Sequence, residues 1–574
     1  MKYSPLLTLL GGLFFTLNCS NAAEANAVQK SSAEINTAGT SATFYNFTYQ
    51  GKDEIFAAPL AQGEYQNPIL AGFFPDPSIV RVDDDYYLVN SSFSYSPGVP
   101  IFHSKDLVNW KSLGHILVTP TQLPLKNQQV SRGIYAPTLR YHKGIFYLIT
   151  TLVDGRGNFI VTATDPAGPW SDPIDLPEVG GIDPDIFFDD DGRVYITHNE
   201  APIGKPLYQG HRAIWQWEFD LATKKIIKNS GKMIIDGGTD IAKKPVWIEG
   251  PHIYKINGWY YLICAEGGTS FDHSAVVFRA RSLKDKFIPF EGNPILTQRD
   301  LDENRANPIT TIGHADLVQT KEGDWWAVFL GTRSYDKKYF NTGRETFLLP
   351  VTWKNEWPHI LDKGQAVPYR LPAPRTPIKT TGAEPTTGNF EWQYNFSSTH
   401  LLPHWNTLGT VESNWYQLNP EHKSLRIQAS TNRLSGLAQP AFIGRRQQHM
   451  HFTAKTELQL PTAEKISAGI AAFQSEGAHY YFGVQRTGKS YQVFIEQTNK
   501  SAPKIIASIS IPKATLGKNI TLGITGNAGK ISFSYYNKSG EPVTILKDAD
   551  ATLLSTEVAG GFVGTYLGMH ARTE

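Results

Sequence analysis

The chain has 574 residues, more than the roughly 250 to 300 at which a single hydrophobic core stops growing, so two domains are expected. Its 54 lysine and arginine residues nearly balance its 53 aspartate and glutamate residues, and no strongly basic or acidic stretch stands out. Nucleic acid and anionic membrane surfaces are therefore poor candidates as partners.

The N-terminal stretch MKYSPLLTLLGGLFFTLNCSNAAEA combines a lysine, an apolar run over residues 6–17 and small residues that follow it. This pattern predicts a signal peptide over residues 1–22 and an exported protein, periplasmic or secreted. A lipoprotein signal cleaved before Cys19 is the alternative, but the preceding TLN fits a lipid-attachment site poorly. Residues 23–65, rich at first in alanine, serine and threonine, are predicted to be flexible.

The rest of the chain offers neither a membrane span nor a disulfide. No later apolar run approaches the ~20 residues that a transmembrane helix requires. After cleavage of the signal peptide, Cys264 has no second cysteine within the chain.

One pattern recurs five times between residues 66 and 371. Each copy has a proline or an aspartate in its place, a strand-like run, a polar turn and a second strand rich in aromatic residues. The copies are FPDPSIVRVDDDYYLV, IYAPTLRYHKGIFYLI, GIDPDIFFDDDGRVYI, IEGPHIYKINGWYYLI and GHADLVQTKEGDWWAV. Each copy predicts a β-hairpin, and the spacing leaves room for four strands per repeat. The sequence therefore predicts a five-bladed β-propeller over residues 66–371.

Five equivalent positions of the repeat are expected at one mouth of the propeller channel, because the first strand of each blade lines that channel. They are Asp76, Ala136, Asp183, Glu249 and His314. An aspartate beside a proline often serves only to cap a turn, and each acid taken singly favours that interpretation. Three acids at one level of the repeat instead indicate a pocket, because clustered like charges are costly and require a function.

The composition changes after the fifth repeat. Residues 372–389 are rich in proline and threonine and are predicted to be a linker or a belt across the propeller surface. Short alternating runs separated by Gly, Asn and Pro turns then predict a β-sandwich over residues 390–574. The predicted fold is thus all-β, a five-bladed β-propeller followed by a C-terminal β-sandwich.

Five ordered segments, NPILAGFFPDPSI, GIDPDIFFDDDGRVY, WIEGPHIYKINGWYYL, GHADLVQT and GRETFLLPVTW, together resemble glycoside hydrolase family 43. The likeness is to its two-domain β-xylosidase and α-L-arabinofuranosidase members, and it continues through IGRRQQHMHFTAKTEL and GGFVGTYLGMHA. It implies an enzyme that removes terminal β-1,4-xylose from xylo-oligosaccharides. The alternatives are α-L-arabinofuranosidase or bifunctional activity on arabinose-bearing hemicellulose, and a carbohydrate-binding propeller without catalysis.

The resemblance also implies roles for the three acids. Asp76 corresponds to the general base, Glu249 to the general acid, and Asp183 to the residue that holds the proton on Glu249. Arg344, in TGRETF, corresponds to an arginine that contacts the sugar and the carboxylates. Glycoside cleavage needs one protonated and one ionised carboxyl group, so these residue types suffice for the reaction.

Asp76 and Glu249 belong to the first and fourth repeats, so the width of the channel separates them. This separation favours inversion of the anomeric centre, which requires room for a water molecule. The blind mouth of a short propeller favours release of terminal sugars.

The resemblance also gives counterparts for other positions around the acids. Phe93, in NSSFSY, corresponds to an aromatic wall of the pocket, and His314 to a histidine near the channel axis. No metal is required by this interpretation, although some relatives hold calcium beside the matching histidine, and a hydrogen-bonded core histidine is an equal alternative. Asp185 stands where relatives often have serine, and strand alternation would place it on the same face as Asp183. The resemblance favours a sandwich that shields the pocket over one that binds polysaccharide.

Overall fold

The computed structural model describes residues 40–375, 377–378 and 384–574, which form strands joined by loops with only a few short helical turns. The signal peptide predicted over residues 1–22, and Cys19 within it, lie outside the described residues. Within these ranges no helix has the length and apolar character needed to cross a bilayer. The helical segments are Glu54–Phe56, Ile241–Lys243, Lys513–Thr515, Thr552–Leu554 and Thr556–Ala559.

Five antiparallel sheets follow one another along the chain, and the predicted five-bladed propeller is confirmed. We number them blades 1 to 5 and give the strands of each from the channel outwards. Blade 1 contains Ser78–Val82, Asp85–Val89, Gly98–Ser104 and Lys111–Leu117; blade 2 contains Gly133–His142, Ile145–Val153, Gly157–Ala163 and Ile174–Asp175; blade 3 contains Ile182–Phe188, Val194–Glu200, Ala213–Asp220, Lys225–Ile226 and Lys232–Asp236; blade 4 contains Glu249–Ile256, Trp259–Glu266, Ser274–Ala280, Ile288–Pro289 and Leu296–Thr297; blade 5 contains Ile309–Gln319, Trp325–Arg333, Glu345–Lys354 and Trp357–His359.

The innermost strands of blades 2 to 5 share an irregularity at the same level. In each, the pairing with the next strand shifts register close to the predicted ring position, as between Ile182 and Asp185 in blade 3 and between Glu249 and His252 in blade 4. A β-bulge of this kind bends the strand and re-aims a side chain. The bulges therefore determine which residues face the channel mouth.

A buried arginine joins the blades in the channel below these bulges. Arg140 of blade 2 donates to Asp316 of blade 5 at 2.9 Å and lies 3.0 Å from a carboxylate oxygen of Asp185 in blade 3. It also lies within hydrogen-bonding distance of His252 of blade 4 and Ser78 of blade 1. The guanidinium group thus neutralises two fully buried carboxylates and connects all five inner strands.

This network explains the unusual aspartate of the third repeat. Simple alternation would place Asp185 beside Asp183, but the bulge between Ile182 and Asp185 separates the two side chains. Asp185 is fully buried, accepts a hydrogen bond from the backbone N–H of Ile253 and pairs with Arg140. It is therefore part of the channel packing and not a fourth acid of the pocket.

The C-terminal sandwich consists of two sheets. One has eight strands, Ser41–Gly51, Glu391–Tyr394, Tyr416–Asn419, Ser424–Gln428, His451–Gln459, Asn519–Asn527, Lys530–Tyr536 and Pro542–Asp550; the other has six, Phe442–Arg446, Ile466–Ser475, Ala478–Thr487, Ser490–Asn499, Lys504–Pro512 and Tyr566–Thr573. Apolar side chains from both sheets form one continuous core.

The first strand of this sandwich comes from the opposite end of the chain. Ser41–Gly51 pairs with Ser424–Gln428 on one side and with His451–Gln459 on the other, and its Phe44, Phe47 and Tyr49 are fully buried. The prediction that residues 23–65 are flexible is therefore wrong for this segment. Its alternating apolar residues were a strand signal that the polar composition before it obscured.

The two domains are joined along a broad contact. The short strand Thr407–Leu408, beyond the linker, pairs with Tyr95–Ser96 of the propeller, whereas Arg370–Pro372 pairs with Glu64–Gln66 at the two ends of the propeller itself. Within the predicted linker 372–389, Ile378 donates its N–H to Asp106 of the propeller. The described part of this segment thus runs against the propeller surface.

Candidate active site

One cavity of about 410 Å³ lies at the mouth of the propeller channel. All five ring positions predicted from the repeat line it, and so do Phe93 and Arg344; the ring positions are Asp76, Ala136, Asp183, Glu249 and His314. The three acids and the arginine are each no more than 9% exposed. Four ionisable groups are thus withdrawn from water inside one small cavity.

The backbone is strained where it presents these side chains. Asp76, Asp183 and His314 have φ values of +50°, +56° and +53°, in the left-handed region that residues other than glycine rarely adopt. Each such residue costs about 1 to 3 kcal/mol and persists only where the surrounding structure fixes it. Strain that recurs at one level of three blades is typical of a site that must hold its side chains in place.

Asp76 accepts hydrogen bonds from two neighbouring side chains. Arg344 donates from Nη1 to one of its carboxylate oxygens at 2.7 Å, and Ser91 donates from Oγ to the other at 2.6 Å. Hydrogen bonds to the charged form of a carboxyl group favour that form. This geometry leaves Asp76 suited to accept a proton from water.

Glu249 is in the opposite electrostatic situation. Burial, and next the negative charge of Asp76, raise the pKa of Glu249 from 4.5 to about 7, against the lowering effect of Arg344 and Arg212. The pKa of Asp183 is raised well above its usual range by burial and by the charges of Glu249 and Asp76. Glu249 therefore retains a proton near neutral pH, as a general acid must.

His314 supports the strand that begins with Glu249. Its ring packs against Gly250, where an added Cβ would come within 2.9 Å of the imidazole, and Gly250 has a φ of +55°. Burial lowers the pKa of His314 to about 3, so the ring is neutral. Only glycine fits beside the ring in this left-handed conformation, so His314 and Gly250 together fix the backbone next to Glu249.

The surroundings of His314 are poorly suited to calcium, which prefers six to eight oxygen ligands. The ring of His252 lies 6.3 Å away between centroids, and His273 is a second neighbouring imidazole. Among the described residues, no group of three or more His, Cys, Asp or Glu is arranged to hold a metal ion.

Sequence reasoning missed several residues of the site. Ser91 stands in the same NSSFSY segment as Phe93, directly after a strand, so its position offered a weak signal. Tyr135 stands inside the second repeat and Trp247 directly before the fourth, and both line the cavity. Which side chains next to the ring positions face the cavity depends on the bulges and on neighbouring loops, which no local pattern reveals.

Phe562 enters the cavity from the sandwich. Its ring stacks on that of Phe93 at 6.2 Å, lies 5.8 Å from the guanidinium carbon of Arg344, and is held by a hydrogen bond from its N–H to Ser131. The sandwich therefore supplies part of the pocket wall. The segment GGFVGTYLGMHA carried the family resemblance, but nothing in it indicated contact with the propeller.

The arrangement combines a carboxylate that accepts a hydrogen bond from an arginine, two carboxyl groups with raised pKa values, and aromatic walls. These are the requirements for cleaving a glycosidic bond, in which the leaving oxygen is protonated while a carboxylate activates water or attacks the sugar. Aromatic faces are the surfaces on which sugar rings pack. The site is thus that of a glycoside hydrolase.

Comparison with known proteins identifies the family. Residues 65–358 match the model of Glycosyl hydrolases family 43, and residues 393–574 match the Beta xylosidase C-terminal Concanavalin A-like domain. The chain belongs to glycoside hydrolase family 43 and is an enzyme of that family.

Individual relatives cover nearly the whole chain. A xylosidase/arabinosidase of Butyrivibrio fibrisolvens is 38% identical over 88% of this chain and 95% of its own length. A non-reducing end alpha-L-arabinofuranosidase of Bacteroides ovatus is 36% identical over 89% and 92%. The crystal structure of a GH43_12 protein from a capybara gut metagenome superposes with a TM-score of 0.87 at 42% identity, covering 93% of this chain and all of that one.

Proposed function

We propose that the protein is an exo-acting, inverting glycosidase that removes terminal β-1,4-linked xylose from xylo-oligosaccharides. The observation that carries this proposal is the single cavity that holds Asp76, Asp183, Glu249 and Arg344. The matched C-terminal domain is named for beta xylosidases, and the Butyrivibrio fibrisolvens relative is by name a xylosidase/arabinosidase.

The exo mode follows from the closed shape of the site. Phe562 of the sandwich covers one side of the cavity, and the network around Arg140 fills the channel below it. A long polysaccharide cannot pass through such a pocket, so only a chain end enters. If the purified protein produced mixed oligomers early in the digestion of long xylan, this part of the proposal would be wrong.

In the proposed mechanism, Glu249 protonates the glycosidic oxygen while Asp76 removes a proton from the attacking water. Arg344 and Ser91 donate hydrogen bonds to Asp76, and the pKa of Asp183 is raised by burial and by the charges of Glu249 and Asp76 in the same cavity. The acid and the base come from blades 4 and 1, which are not successive along the chain. That separation favours room for water and hence inversion.

Two measurements test the proposal. Release of nitrophenol from 4-nitrophenyl β-D-xylopyranoside shows cleavage, and a carbohydrate-binding protein without catalysis would release none. Proton NMR of the first sugar formed from xylobiose then reports its anomeric configuration. We expect α-xylose as the first product, and β-xylose would instead require a covalent intermediate and different roles for Asp76 and Glu249.

Activity on α-L-arabinofuranosides is the second candidate, because one relative of nearly equal similarity is named a non-reducing end alpha-L-arabinofuranosidase. The two sugars present related hydroxyl groups to one pocket. We expect kcat/KM for the xyloside to exceed that for 4-nitrophenyl α-L-arabinofuranoside. A tenfold preference for the arabinofuranoside, equivalent to about 1.4 kcal/mol in transition-state binding, would reverse the order.

We also propose that the enzyme is exported, on the strength of the N-terminal sequence alone, and that it needs no metal ion. The second point rests on the chemistry, which two carboxyl groups can carry out without a metal ion. Sequencing the N-terminus of the protein recovered from its host would test the first, since an uncleaved N-terminus or a lipid on Cys19 would contradict cleavage after residue 22.

A further inference from the structure

The cavity wall beside the general acid carries an aromatic side chain that the proposed mechanism does not use. Trp247 lies two residues before Glu249, lines the same cavity and is 38% exposed. Its φ of +52° is a strained conformation for a bulky residue. A large aromatic ring that is partly exposed inside the cavity is available to bind a ligand.

Two neighbouring loops fix this ring in place. The N–H of Trp247 donates to the carbonyl of Gly210 at 2.9 Å, and the carbonyl of Val246 accepts from Gly267 at 2.8 Å. An added Cβ at Gly210 would lie 3.6 Å from the indole, and one at Gly268 would lie 4.0 Å from it. The indole therefore has a defined position before any ligand binds, which lowers the entropic cost of binding.

Arg212 supports the ring and lies close to the acid. Its guanidinium carbon is 4.9 Å from the centroid of the Trp247 ring, and it donates twice to the side-chain oxygen of Asn199, at 2.6 and 3.0 Å. Asn199 in turn donates to the carbonyl of Ile248. The charge of Arg212 lowers the pKa of Glu249, so the two side chains are within electrostatic reach. Arg212 thus lies behind the cavity wall and close to both Trp247 and Glu249, which line it.

The position of the acid determines which part of the substrate meets this wall. In the proposed function, Glu249 faces the glycosidic oxygen, while Asp76 and its water lie on the far side of the sugar that is released. The surface beyond Glu249 is consequently the place of the leaving group. Pyranose rings have apolar C–H faces that pack on aromatic rings.

We infer that Trp247, backed by Arg212, is the stacking platform for the first sugar ring of the leaving group. This inference rests on the proposed function and names the ligand of its second subsite, a pyranose residue such as the xylose at the reducing side of the scissile bond. The platform favours oligosaccharides over substrates whose leaving group is too small to reach it.

The test compares two substrates that differ only in the leaving group, xylobiose and β-D-xylopyranosyl fluoride. The fluoride places the same sugar in the pocket but offers nothing for Trp247 to bind. For Trp247→Ala we expect the ratio of kcat/KM for xylobiose to that for the fluoride to fall about tenfold, the upper range for loss of one aromatic contact. Trp247→Phe should restore most of the ratio.

Leu207→Ala is the matched control, because Leu207 is 72% exposed, is carried by the same loop as Gly210 and does not line the cavity. We expect it to leave the ratio at the wild-type value. An equal loss of kcat/KM on both substrates for Trp247→Ala would show that the ring only supports Glu249, and wild-type kcat/KM on both substrates would show that it binds no sugar; either result overturns the inference. A wild-type enzyme that cleaves neither substrate would instead refute the proposed function. If it prefers arabinofuranosides, the same comparison applies to an arabinofuranosyl-xylose and α-L-arabinofuranosyl fluoride.

Discussion

Replacing Glu249 by glutamine should stabilise the folded protein at neutral and alkaline pH while removing the proposed general acid. Glutamine has nearly the same shape as glutamate and fits the same buried position, but it carries no charge. The wild-type side chain is buried, and its ionised form is disfavoured by burial and by the charge of Asp76. This free-energy cost of a buried charge is expected at a residue proposed to act in catalysis. Activity requires a carboxyl group whose pKa lies near the working pH.

The size of the effect follows from the pKa. One pKa unit corresponds to about 1.4 kcal/mol, so raising the pKa of Glu249 from 4.5 to about 7 makes the ionised form cost about 3 kcal/mol in the folded state. Between these two values the folded protein binds more protons than the unfolded chain, so this residue lowers stability as pH rises through that range. Above about pH 7 the cost is constant. The glutamine variant lacks it entirely.

Urea unfolding at pH 4, 5.5, 7 and 9 measures the effect through the propeller transition. We expect Glu249→Gln to differ little from wild type at pH 4 and to gain about 3 kcal/mol by pH 7, with no further gain at pH 9. Glu291→Gln, at an exposed site, is the control and should show no such trend. A difference that stays flat with pH, or that favours wild type at high pH, would refute the reasoning.

Four further outcomes are expected. Glu249→Ala should lower the rate on xylobiose about 10⁴-fold but spare much of the rate on a 2,4-dinitrophenyl xyloside. Asp76→Ala should abolish the rate on both substrates. Equal losses for the two variants would contradict the proposed roles. The kcat/KM of the wild type should fall as pH rises through about 7, because Glu249 then loses its proton, and a fall only above pH 9 would not fit. Arg140→Met should lower the free energy of unfolding by about 3 kcal/mol or more, because it leaves two carboxylates buried without a partner, and a neutral effect in urea unfolding would contradict the packing role. EDTA should leave the rate unchanged, and a loss restored by calcium would place a metal near His314.

The local patterns in the sequence were sufficient to predict the propeller and the level of its acids. Each hairpin is encoded by a strand run, a turn and a second strand, and these signals act over neighbouring residues. Because the repeat sets a common register, the acids of repeats 1, 3 and 4 were expected at one mouth, and the structure places Asp76, Asp183 and Glu249 in one cavity. The family resemblance added the roles of these acids and drew attention to Arg344.

Strand alternation alone gave a misleading position for Asp185. A bulge shifts the register by a residue, and whether one forms depends on the neighbouring strand and not on the local sequence. The shift between Ile182 and Asp185 turns Asp183 towards the pocket and leaves Asp185 to pair with Arg140. The sequence shows the additional acid at position 185, but its ion pair with Arg140 is visible only in the structure.

The most distant contacts were decided by the tertiary structure alone. Ser41–Gly51 completes a sheet whose other strands lie beyond residue 390, and Phe562 of the sandwich completes a pocket that begins with Asp76. Strand pairing and loop docking depend on complementary surfaces that are brought together only when both domains have folded, so no window of sequence records them. The sequence by itself determined the repeating blades and their acids, because these follow from local turn and strand chemistry; the closure of the pocket depended on how the two ends of the chain pack against the propeller.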